Sequence, residues 1–189
     1  AVGYQAGQAN TTGVANTVMG HNSFDANTTG GSNTAVGAQS LSGNTTASDN
    51  AAFGAFSLRD NTTGANNVGI GRGALTHNTT AANNTAVGMN ALNVNTTGDS
   101  NVAVGAANLD ANTTGSQNIS VGYGALGSNT INSRNVALGY NALANADAGR
   151  NTAVGHDCMS STTSGSNNTA VGQAALISNT TGAANAAVG

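Results

Sequence analysis

The sequence predicts an all-β chain: a parallel β-solenoid, or β-roll, with one coil per 17-residue repeat. Three observations predict it. A glycine follows an apolar residue at Gly3, Gly20, Gly37, Gly54, Gly71, Gly88, Gly105, Gly122, Gly139, Gly155, Gly172 and Gly189, in steps of 17 except for a step of 16 from Gly139 to Gly155. The residues just before that glycine alternate as a strand does. The turn-forming sequence Asn-Thr-Thr-Gly then returns within the repeat. A fixed period of this kind marks a stacked array in which each repeat covers the apolar face of its neighbour. Residues 1–189 therefore read as a single solenoid segment of about eleven repeats. The chain starts and stops inside the repeat, at Ala1-Val2-Gly3 and Ala187-Val188-Gly189, so a fragment of a longer fibre is expected.

Composition narrows the function classes. There is no Lys, Glu, Pro or Trp, while Gly, Asn and Thr abound, which disfavours helix. Charged residues make up 6% and the net charge is −3, so no electrostatic footprint for nucleic acid is present. No apolar run approaches the length of a membrane-spanning helix, so no membrane insertion is expected in this segment. A single cysteine, Cys158, rules out an intrachain disulfide and reads as a small buried residue.

The repeat Asn84 to Ser100 defines seventeen columns. Column one is always Asn, and a structural ladder of stacked amides is expected through Asn33, Asn50, Asn67, Asn84, Asn101, Asn118, Asn135, Asn151 and Asn168. Column four is large and apolar, column three small. The strand alternation is taken to turn columns two and four inward and column three outward. Column six holds a surface mixture, so the chain is expected to bend at the column-five glycine, and column nine to return to the core. The expected core is Val36, Leu41, Phe53, Leu58, Ile70, Leu75, Val87, Leu92, Val104, Leu109, Val121, Leu126, Leu138, Leu143, Val154, Val171 and Leu176. Columns twelve to fifteen form the turn. The one-residue deletion is placed between Leu143 and Asn145, just before it.

Asn-Thr-Ala-Val-Gly-x-x-Ala-Leu, as in Asn135-Val136-Ala137-Leu138-Gly139-Tyr140-Asn141-Ala142-Leu143, resembles the Asn-Ser-x-Ala-Ile-Gly-x-x-Ala head repeat of trimeric autotransporter adhesins. It is also similar to the tandem arrays of phage tail-fibre-type proteins. The resemblance implies a left-handed β-roll, three parallel chains, and display outside a cell or on a virion.

Functional expectations follow. His156, Asp157 and Cys158 are adjacent but too poorly oriented for a nucleophilic site, so neither catalysis nor a cofactor or metal is expected. Asn-Thr-Thr matches the N-glycosylation acceptor pattern, yet the turn alone explains it. Two readings are carried forward. One is a structural or adhesive fibre segment: an extracellular or virion-surface homo-oligomer, expected as a parallel trimer packed through the column-three alanines. It would meet a host receptor or glycan through Arg72, Tyr123, Tyr140 and His156. The other is a ligand-binding solenoid, such as an ice binder using its threonine files.

Overall fold

A computed structural model describes residues 1–189. It contains eleven strands of three residues each, from β1 (Thr17–Met19) through β5 (Thr85–Val87) and β6 (Val102–Val104) to β11 (Ala186–Val188). They form one parallel sheet in strict chain order, each strand pairing with the next in register. Val2 adds a bridge to Met19, so eleven inter-coil intervals span about 53 Å. The fold is the expected all-β solenoid. No helix is long and apolar enough to cross a membrane.

Three-residue strands are too short to hold such a rod alone. Of 119 backbone hydrogen bonds, 99 lie outside the strand ladders, and most of these join one coil to the next. Leu92 N–H donates to Asn108 O at 3.0 Å, and Thr96 N–H to Thr113 O at 2.8 Å. The turns therefore stack as the strands do, which answers where each coil's buried polar backbone finds partners.

The strand register is the reverse of the expected one. Column three faces inward: Ala35, Ala52, Ala86, Ala103, Ala137, Ala153 and Ala170 are fully buried. Column four faces outward: Phe53, Ile70, Val121, Leu138 and Val171 are exposed, and Val36, Val87, Val104 and Val154 are only half-buried. These nine are not core residues. The parity needs no flip at the glycine, because columns two, four and six all point out. The physical reason is thickness. The column-nine residues Phe24, Leu41, Leu58, Leu75, Leu92, Leu109, Leu126, Leu143 and Met159 fill the interior, with Leu176 partly buried at the end. What remains opposite them fits mostly small groups: the alanines of column three and, Asn108 apart, the Ala, Ser or Cys of column eight. Gly69 makes the tightness concrete, since a Cβ there would run into Ser57 Oγ.

The deletion also sits elsewhere. Ala146 N–H donates to Leu143 O, the bond that the column-twelve residue Asn95 makes to Leu92. Ala146 is thus column twelve, and the missing residue is the second threonine of the turn, between Asp147 and Ala148. Asp147 Oδ1 compensates by accepting from Thr130 N–H, Thr130 Oγ1 and Asn132 Nδ2, the last at 2.7 Å.

Candidate functional site

Two asparagine ladders position everything outside the core. In column one, each amide oxygen accepts the backbone N–H of the next asparagine. Asn101 N–H donates to Asn84 Oδ1 at 2.9 Å, Asn118 N–H to Asn101 Oδ1 at 3.0 Å, and so on through Asn135, Asn151 and Asn168. The Nδ2 group donates to the turn carbonyl one coil on, as Asn50 does to Gly64 and Asn101 to Gly115. Asn33, Asn50, Asn67, Asn84, Asn101, Asn118, Asn135, Asn151 and Asn168 are all buried. Two break the donor pattern: Asn84 Nδ2 and Asn135 Nδ2, the latter facing the shortened turn, are left without a partner.

The second ladder went unpredicted. In column twelve the side-chain amides bond each other directly: Asn61 to Asn44, Asn78 to Asn61, Asn95 to Asn78 and Asn112 to Asn95, at 2.8–3.1 Å. It runs unbroken from Asn10 to Asn129 and stops where Ala146 replaces asparagine. Recurrent Asn in that column, from Asn10 to Asn129, is the signal, but the Asn-Thr-Thr-Gly turn accounts for it equally well. All of these asparagines but Asn129 carry the glycosylation pattern. From Asn27 to Asn112 they are fully buried with Nδ2 engaged, so the folded rod offers no free acceptor there. The first threonine of each turn is likewise occupied, as Thr96 Oγ1 donates to Thr113 O at 3.0 Å. That leaves half of each threonine pair unavailable for a flat hydroxyl array.

Two surfaces remain open. The first is the outer face of the sheet, made by columns two and four. It carries Met19, Phe53, Ile70, Val87, Val104, Ile119, Val121, Leu138 and Val171 in one continuous band, with Thr in column two of only some strands. The second is column six. Tyr123 stacks on Tyr140 at 5.6 Å between ring centroids and Tyr140 on His156 at 5.0 Å, while Tyr4 stacks on His21. Arg72 lies apart from that stack, with its guanidinium 5.9 Å from the Phe56 ring centre. The structure thus brings three of the four expected contact residues together and leaves the fourth separate.

The His-Asp-Cys run does not assemble a nucleophile. His156 Nδ1 lies 3.0 Å from an Asp157 carboxylate oxygen, but Cys158 is fully buried, with its thiol directed at Ala170 O. Burial pushes the Cys158 thiol above its ordinary pKa, away from the reactive thiolate.

Comparison with protein-family models, with curated proteins and with solved structures finds no match.

Proposed function

We propose that this chain is a structural and adhesive fibre segment that associates with parallel copies of itself through the outer face of its sheet. The observation that carries the reading is the exposed apolar band. Isolated monomers rarely leave an apolar surface of this continuity in water, and flat sheet faces pack on one another about 10 Å apart. The expected interface residues therefore change. The column-three alanines are buried within each chain and cannot form it, whereas Val87, Val104 and Val121 can. Identical copies share the same coil spacing, the one 16-residue step included, so side by side and parallel they can keep one register along their length.

A trimer is the assembly that the adhesin and tail-fibre resemblance implies, with display at a cell or virion surface. In that setting column six would stay solvated, and the Tyr123–Tyr140–His156 stack would offer a rigid aromatic edge to a receptor or glycan. The segment would work as shaft or contact head, without turnover. Sedimentation equilibrium tests the association. The parent chain should sediment as a multiple of its 18.2 kDa mass, and Val87→Glu with Val104→Glu should give a folded monomer. A parent chain that stays monomeric at high concentration would refute the proposal.

A further inference from the structure

A cleft lies at the shortened coil, on the turn side of the rod. Its volume is about 360 Å³, and it is lined by Ile131, Ser133, Arg134, Gly149, Arg150 and Ser166, among others. The chain holds only 4 basic residues, and two of them, Arg134 and Arg150, meet here. Both occupy column seventeen of adjacent coils, so their backbones are about 4.8 Å apart along the rod. Neither has a carboxylate partner. Arg134 Nε donates to Gln117 Oε1 at 3.2 Å, and the ion pairs of the molecule involve Arg59, His77 and His156 instead. Asp147, the carboxylate of the shortened coil, is occupied by Thr130 and Asn132.

The backbone points the same way. Along column sixteen, several amides donate to a side-chain oxygen of the next coil. Asp99 N–H donates to Ser116 Oγ at 3.0 Å and Ser116 N–H to Ser133 Oγ at 2.9 Å. Ala82 N–H donates to the Asp99 carboxylate at 2.6 Å. At Ser133 the next coil supplies Gly149, which has no side chain, and neither the Ser133 nor the Gly149 N–H donates within the protein. The cleft therefore gathers two guanidinium groups without a carboxylate partner and two free amides, in the file where Asp99 shows that a carboxylate fits.

We propose that this cleft binds an oxyanion group, a carboxylate or sulfate, whether free or borne on an acidic glycan. The anion would take the acceptor position at Ser133 that Asp99 takes at Ala82, with Arg134 and Arg150 supplying charge-assisted hydrogen bonds. Two like charges in neighbouring coils are otherwise unfavourable, and an anion relieves that.

Amide chemical-shift titration tests it, using sodium sulfate, a sulfated disaccharide and its unsulfated counterpart. The Ser133 and Gly149 amides should shift saturably with both sulfated probes and not with the neutral sugar. Tighter binding of the disaccharide than of sulfate identifies a glycan as the source, and equal binding a small anion. Arg150→Gln and Arg134→Gln should each weaken binding about tenfold or more, while Arg59→Gln leaves it unchanged. No saturable shift at these amides, or equal weakening by Arg59→Gln, overturns the site. Folding of each variant is verified by the unchanged dispersion of the remaining amide signals.

Discussion

Asn129 Oδ1 is buried without a partner at the point where Ala146 takes the ladder position of the next coil. Its own Nδ2 still donates down the file to Asn112 Oδ1 at 3.1 Å. The column-twelve ladder is thus polar, with every amide passing a hydrogen bond to the coil before it, and it ends on an orphaned oxygen. Such networks are costly where half-satisfied and strong where complete.

Breaking this buried ladder in its middle should be costly. Asn95→Ala removes the bonds to Asn78 and Gly98 and the acceptor of Asn112. It leaves more than one buried group unpaired, so a loss of about 2–4 kcal/mol is expected in urea unfolding. Ala146→Asn should act in the opposite direction, by about 1 kcal/mol, by giving Asn129 Oδ1 a donor. A neutral Asn95→Ala would show that the file contributes nothing.

Register is decided by a second pair. Leu92 is fully buried and Val87 is not. Leu92→Ala should cost about 2–5 kcal/mol. Val87→Ala should cost the single chain about 1 kcal/mol or less, and more only where copies associate. Chemical denaturation at low and high protein concentration separates the two contributions.

That pair also shows what the sequence could and could not disclose. Period, parallel strands, the Asn column and the Leu column were legible because each recurs along the whole chain. The inward face was not, because a strand's two faces differ by a shift of one residue, and both faces here contain apolar residues. Size variation held the answer. Column four ranges from Val to Phe, which a close-packed interior does not tolerate, while column three is nearly constant Ala. The oxyanion cleft was invisible for a different reason. It depends on which residue of the turn is missing, and only the backbone bond of Ala146 to Leu143 fixes that.

Two carboxylates should give opposite pH signatures. Hydrogen bonding to Arg59 holds Asp60 below its ordinary pKa of 3.8, with His77 adding to the effect against some burial. Its folded-state pKa is depressed, so it contributes stability above pH 3.8, lost as pH falls toward the folded value. Burial raises Asp110, so its charged form opposes folding above the raised pKa, and that penalty fades as pH falls to 3.8. Asp60→Asn should therefore lower the thermal midpoint at neutral pH, and Asp110→Asn should raise it. Both differences should shrink in acid. The Asp60 pair is only half-buried and reached by solvent, so its effect should be the smaller at high salt.

Backbone strain gives the last contrast, between Ala107 and Gly88. Ala107 sits at φ 48 in column seven, where Gly73 and Gly124 hold the same position in other coils at φ 72 and 63. An L-residue in the left-handed region costs roughly 1–2 kcal/mol, and glycine's extra unfolded-state freedom offsets only part of that. Ala107→Gly should thus stabilise the rod by up to about 1 kcal/mol. Gly88 lies at φ 135, and a Cβ there would collide with the Gly105 carbonyl of the next coil. Gly88→Ala must push two coils apart across the sheet, so it should destabilise by about 3 kcal/mol or more. The two substitutions are mirror images at neighbouring corners, and thermal unfolding of both reads the sign directly. A destabilising Ala107→Gly would mean that its left-handed conformation carries no strain for the rod to relieve.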